Sequence, residues 1–296
     1  MSGSITSAST SALTTAGTSG SDTYQPLYQA VKTLLGMTND LELQLGLTPK
    51  YDTSTTLNTK YGVFQDMKPG THPTLKYFGV GINGKRNIDT TNLSEPRQPL
   101  ATNMDIYQPI PIRALPIEND LNTTDRASYR MRRVVTIGGQ KFVLYYLKLI
   151  TQTDSQVEYT KLNSSSGVQE AYQLDYTNLT PTPPTDTIDN VTTDVSAEIN
   201  VLAATSFPLT GAEISEAINV LYKGDLRYAN ISEIGIYTGA DASVQVKDYH
   251  DNNFTYTEAI MTQLDTHYCF NGNDMSSPTA SFNQQFMFGS GKIALI

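Results

Sequence analysis

The chain has 296 residues, 39% of them hydrophobic, which is enough for a real core in one large domain or two of ordinary size and excludes disorder throughout. Only 17% of the residues are charged, below the roughly 25% usual for soluble domains; Thr, Ser, Asn, Gln and Tyr fill the gap, a neutral polar surface suited to burial against other proteins. The net charge of -9 repels nucleic acid except at a local basic patch, and the single Cys269 excludes an intrachain disulfide framework and any multi-cysteine metal site.

Residues 2–23 are mostly Ser, Thr, Ala and Gly, with Ile5 and Leu13 as the sizeable apolar groups. Such an arm stays disordered alone, as a flexible leader, or orders by lying along a neighbouring subunit. The start also lacks the basic residues and apolar stretch of a secretory signal, so the chain is expected in the cytosol or in a particle assembled there. A short helix is expected over Pro26–Leu35, with Leu27, Val31, Leu34 and Leu35 on one face and Gly36 as its stop. Asp40–Leu47 alternates as Leu41, Leu43, Leu45 and Leu47, a pattern open to a strand or an irregular packed segment. From Thr48 to Pro116 the density of Pro and Gly excludes long elements and leaves short strands, the best at Thr74–Ile82 and Ile110–Leu115.

Tyr129–Ile150 reads as a long β-hairpin around Gly138-Gly139, the pair that supplies the positive φ angles of a tight type I′ turn. With Ile137 opposite Gln140, Val135 meets Phe142, Arg133 meets Leu144 and Arg132 meets Tyr145, leaving apolar or aromatic groups on both faces. Further strands are expected at Gln156–Leu162 and Ala171–Tyr176. The Pro/Thr-rich residues 179–190 form a semi-extended spacer. Beyond it come a strand at Val195–Ala203 and a helix at Thr210–Tyr222, with Thr210 and Glu213 as capping box, Ile214, Ala217, Ile218 and Leu221 as stripe, and Gly224 as end. Ile231–Tyr237 alternates as a strand, Gly239–Asp241 is expected to turn it, and Val244–Lys247 to return. Tyr256–Phe270 fits helix or strand. Ser281–Phe288, Gly289-Ser290-Gly291 and Lys292–Ile296 suggest a terminal hairpin.

The pattern predicts a mainly β fold, a sandwich or barrel-like body with a few short helices, long Pro/Gly-rich connections and an extended N-terminal arm. Its parts are the arm (1–23), a β-rich body (24–178), the spacer (179–190) and a second α+β part (191–296) packed on the same body.

Gly79-Val80-Gly81-Ile82-Asn83-Gly84-Lys85 matches the first part of a phosphate-binding P-loop. Arg86 then stands where Ser or Thr must hold magnesium, and no helix follows to offer its positive end, so a Gly-rich turn at a strand end is preferred. His72, His250 and His267 fall in no zinc spacing, and His250-Asp251 with Glu258 or Asp248 matches a metal loop only as many acidic loops do; no metal or cofactor is expected. There is no Gly-x-Ser-x-Gly elbow, and Cys269 reads as a core thiol, so no catalytic residue is assigned and no enzyme is expected. Arg126, Arg130, Arg132 and Arg133 form the dense basic cluster, suited to ion pairs within the chain or across an interface, or to DNA.

Three stretches together resemble virion structural proteins of tailed bacteriophages: Pro73–Gly81 leading to Pro109–Arg113, the Tyr129–Ile150 hairpin, and Ile231-Ser232-Glu233-Ile234-Gly235-Ile236-Tyr237. The last is similar to a strand of several tail-fibre and baseplate-associated proteins. The resemblance implies a virion location, assembly in the host cytoplasm, and a non-enzymatic subunit of a ring-like part of the tail, neck or baseplate. Its partners are then copies of itself and neighbouring virion proteins, with DNA nearby if it lines a channel, and without membrane insertion. The expected contact residues are Ile5, Leu13, Arg130, Arg132, Arg133, Tyr145, Tyr146, Phe286 and Ile296. The alternative is a host-surface module that binds glycans or attaches a fibre.

Overall fold

A computed structural model describes residues 29–49, 51–68, 70–87, 94–154, 160–162, 168–173, 175–180 and 196–295. Strand β1 (Gln29–Lys32) pairs antiparallel with a strand near the far end of the sequence, Gln29 opposite Cys269 and Lys32 opposite Thr266. Helix α1 (Leu34–Leu45) follows at once. The Thr33 hydroxyl caps it by accepting from Gly36 N–H at 3.0 Å, and Gly46, at φ 62°, closes it with its N–H on Glu42 and Leu43 oxygens. The expected helix over Pro26–Leu35 is corrected here: long-range pairing claims Gln29–Lys32. Gly36 lies inside α1 instead of stopping it, where a Cβ would strike Asp265 at 2.7 Å. The leucines from Leu41 to Leu45 are helical.

Helix α2 (Leu57–Tyr61) and the strands β2 (Thr74–Gly81), β3 (Lys85–Asn87), β4 (Ser94–Pro96), β5 (Pro109–Ile110) and β6 (Arg113–Pro116) are short, as the Pro and Gly content requires. The strand expected over Ile110–Leu115 is split at Pro111, which has no N–H to pair; Ile112 N–H still reaches Tyr145 O at 2.8 Å. Past helix α3 (Thr123–Arg126), β7 (Tyr129–Ile137) and β8 (Gln140–Leu149) form the hairpin in the register read from sequence, including Arg132 opposite Tyr145. Gly138 and Gly139 stand at φ 59° and 86°. Cover on both faces holds at the base, where Tyr129–Arg132 are buried, but the tip is open and Val134 is 44% exposed.

The remaining elements are β9 (Thr151–Asp154), β10 (Thr160–Leu162), β11 (Gln169–Ala171), β12 (Ser196–Thr210), α4 (Gly211–Tyr222), β13 (Asn230–Lys247), β14 (Asn253–Asp274) and β15 (Ser281–Leu295). The capping box of α4 forms as expected, with Thr210 and Glu213 bonded reciprocally, and Ile214, Ala217 and Ile218 are buried. Three expectations are corrected. Gly239–Asp241 does not turn: β13 runs through it, and Gly239 is needed because a Cβ would meet the Tyr77 ring at 2.8 Å. Gly289-Ser290-Gly291 lies within β15, a single strand next to β12, and makes no turn. Ala171–Tyr176 is a strand only at its start, since Asp175 accepts Thr177 N–H at 2.9 Å and bends the chain. Tyr256–Phe270, open on pattern, is strand.

The chain divides into two compact units, and the boundaries fall after Ile150, Ser206 and Asn283 rather than at the spacer. Residues 181–190 of that spacer, with all of 1–28, lie outside the described residues. One unit holds β9, the antiparallel pair β10-β11 and most of β12 and β15, paired in the order β15-β12-β9; the boundaries after Ser206 and Asn283 fall within β12 and β15. The other unit holds an antiparallel sheet of order β1-β14-β13-β2-β8-β6, with β5 on β2 and β7 on β8. The fold is mainly β with few short helices, and α4, β13 and β14 pack on the unit that holds the hairpin. Tyr77, Met131, Leu147, Tyr237 and Leu264 centre its core, Tyr61 stacks on Tyr146 at 4.3 Å, and α4 docks through Ala217 on Ala114 and Leu144.

Candidate functional site

The arginine cluster is largely spent inside the chain. Arg130 and Arg132 are buried, Arg130 holding Asp241 at 2.9 Å and Arg132 holding Asp120 at 2.8 Å. Asp120 also accepts from the Tyr145 hydroxyl at 2.6 Å and lies 3.3 Å from Arg126, whose guanidinium covers the Phe254 ring at 4.3 Å. Of the two pairings open to these arginines, the internal one is found, and Arg130, Arg132 and Tyr145 are buried within the chain against these partners. Arg133, one residue nearer the tip, is exposed, and Tyr146 is half-buried against Tyr61. Phe286 lies in β15, and Ile5, Leu13 and Ile296 lie outside the described residues.

The strand Ile231–Tyr237 carries a buried clamp. Glu233, fully buried on β13, accepts from Gln108 N–H (2.8 Å) and Asn83 N–H (3.1 Å) on one oxygen, and from Tyr107 N–H (2.8 Å) and His267 Nε2 (3.1 Å) on the other. Tyr237, four residues on, donates to Asp105 at 2.6 Å, so one strand ties the loops 82–84 and 105–108 to the sheet. The phosphate-loop resemblance is resolved by the same group. The backbone N–H of Asn83 in that Gly-rich turn is turned to the Glu233 carboxylate and that of Gly84 to Ser232 Oγ, at 2.9 Å. Gly81 is required because a Cβ would lie 2.5 Å from Glu233 Oε1. The two backbone donors of the turn, at Asn83 and Gly84, are thus taken by side chains of β13.

Glu233 faces Cys269 across the β13–β14 ladder, and strand alternation puts His267 on the same face, so Glu233, His267 and Cys269 bring three metal-ligating atoms within 4.8 Å of one another. Sequence reasoning missed this group; His267-x-Cys269 at strand spacing is its trace, but only the pairing with β13 makes it local. The donor set does not suit a cation. The Glu233 oxygens are taken by three backbone amides, and His267 is held between Glu233 and Asn103 (2.9 Å at Nδ1). The Cys269 thiol is pushed up to about 12, by burial first and by Glu233 second. The metal loop weighed at His250-Asp251 is not assembled either: Asp248 accepts His250 and Asn252 N–H groups, both at 2.8 Å, and Glu258 is fully buried elsewhere. Glu258 accepts from the consecutive amides of Met131 (2.6 Å) and Arg132 (2.9 Å), with Met131 at φ 57° turning both toward it. Burial raises the Glu258 carboxyl, against the pull of those hydrogen bonds.

Two features face outward. Helix α1 buries Gly36 and Asn39, the latter bonded to Pro73 O (3.2 Å) and the Tyr51 hydroxyl (2.8 Å), and leaves Leu34, Met37, Leu41 and Leu45 exposed. The usual order of a surface helix is reversed. An open recess of about 350 Å³ lies between Ile117–Arg126 and Asp248–Phe254, with Glu118, Tyr249 and His250 on its walls. No helix among the described residues is long and apolar enough to cross a membrane.

Nothing among curated proteins or solved structures matches the chain. A family model matches residues 21–294, nearly the whole length, and the chain belongs to that family, DUF7208, a family of unknown function.

Proposed function

We propose that the chain is a non-enzymatic structural subunit of a tailed-phage particle, built into a ring-like part of the tail, neck or baseplate, and that its mechanism is assembly. The observation that carries this reading is the distribution of polar and apolar groups. The ionisable groups in the interior are consumed as internal ties, whereas α1 turns its large apolar side chains outward. Such an arrangement suits a surface covered by neighbours. The low charge and the three virion-like stretches support it. The arm and the open hairpin tip with Arg133 are further contact elements of this reading.

The test is removal of residues 1–23 in a phage that encodes the protein. Impaired particle assembly, with the purified variant melting as the full chain does, is expected; normal particles overturn the proposal. The recess beside Tyr249 favours one alternative, a host-surface module that seats a glycan on aromatic and carboxylate groups. In that case particles assemble without the protein and fail to adsorb.

A further inference from the structure

We infer that the outer face of α1 is a docking surface for a second copy of this chain. The inference deepens the assembly reading and rests on it only in taking a like subunit as the partner. Leu34, Met37, Leu41 and Leu45 recur every three to four residues and form one stripe, which Leu47 extends past the helix end. Leu34 N–H bonds Ala101 O at 2.8 Å, setting exposed Leu100 beside the first turn. These six side chains are each between 44 and 68% exposed. Taking roughly 100 Å² of apolar surface per fully exposed Leu or Met, they offer on the order of 330 Å². That is the apolar share one partner contributes at the lower end of stable interfaces, about 600 Å² per side with somewhat over half of it apolar.

Charge points to a like partner. The helix carries two charged residues, Asp40 and Glu42, and both lie off the stripe; Asp40 is held by Lys32 at 2.7 Å. With no Lys or Arg anywhere in Leu34–Leu45, the helix lacks the basic polar face that holds a helix on an anionic lipid surface. A neutral apolar stripe is complementary to itself: two copies related by a two-fold axis set leucine against leucine, a contact that joins subunits in pairs, or one ring to another, and is separate from the contacts around a ring.

The test is sedimentation velocity of the full chain from about 1 to about 100 μM, beside Leu41→Glu/Leu45→Glu and the milder Met37→Gln. Concentration-dependent association of the wild type, weakened at least tenfold in the double variant and measurably in Met37→Gln with circular dichroism unchanged, supports the proposal. If the double variant fails to fold, Met37→Gln alone decides. A wild type that stays monomeric throughout overturns it, as does a monomer that associates only after residues 1–28 are removed, since the chain's own arm is then the occupant. Association untouched by the variants overturns it too but leaves the assembly reading standing, which fails separately if the chain is absent from purified particles.

Discussion

Replacing Glu233 with Gln tests whether one buried carboxylate holds the sheet and its loops together. Both oxygens of Glu233 accept two hydrogen bonds each, three from backbone amides and one from His267. Glutamine keeps one accepting oxygen, which can stay with Asn83 and Gln108, and presents an NH₂ to the Tyr107 N–H and His267. Two bonds to a charged acceptor, each about 1.5–3 kcal/mol, are lost, and a buried donor is left facing another donor. The expected cost is about 3–5 kcal/mol. The larger unit spans about 200 residues, for which 1 kcal/mol corresponds to roughly 2–4 °C, so the melting temperature should drop by about 10 °C. Thermal unfolding by circular dichroism reads the total, and hydrogen exchange reads the location, because the amides of Asn83, Tyr107 and Gln108 should lose protection first. A melting temperature within about 2 °C of wild type, with those three amides unchanged, refutes the clamp.

Asn58, almost fully buried on α2, spans a bulge in β14 by bonding Ala259 O (2.7 Å) and Thr262 N–H (3.3 Å) on either side of Met261, which stands at φ 54°. Asn58→Leu should cost about 2–4 kcal/mol in urea unfolding by orphaning both groups, and a loss below about 1 kcal/mol counts against the role. Burial would raise the Glu213 carboxyl, but Lys148, at 2.7 Å, and Tyr129 hold it below its ordinary 4.5, so this group's contribution is full above 4.5 and fades as pH falls through the lower folded value. Lys148→Met should flatten that acid limb of the urea midpoint against pH; an unchanged slope contradicts the assignment. The Cys269 thiol, buried and raised to about 12, should release no chromophore from a disulfide reagent at about pH 8 until the protein unfolds, and rapid native labelling would argue against the burial.

What the sequence made legible was local. The β7–β8 register follows from two glycines and an alternating pattern within some twenty residues, and the α4 capping box from a Thr and a Glu three apart. Helix α1 was missed because Leu41, Leu43, Leu45 and Leu47 alternate at strand spacing and its buried residues are Gly36 and Asn39, which leave no apolar signal at helical spacing. Gly239 reads as a turn residue until the Tyr77 ring is known to need its space. The clamp was illegible for a related reason: Glu233 meets residues 83, 107, 108 and 267 only after β13 finds both β2 and β14, and no spacing in the linear chain records that meeting.

The kink at Met131 has a consequence for growth of the sheet. Strand β7 pairs only with β8 among the described residues, so its far side is an edge. At the base of that edge Glu258 occupies two adjacent amides, leaving no ladder for an incoming strand to extend. A strand added along β7 must therefore start at the hairpin tip and end before Arg132, which limits any such addition to about five residues and sets its length from within the subunit.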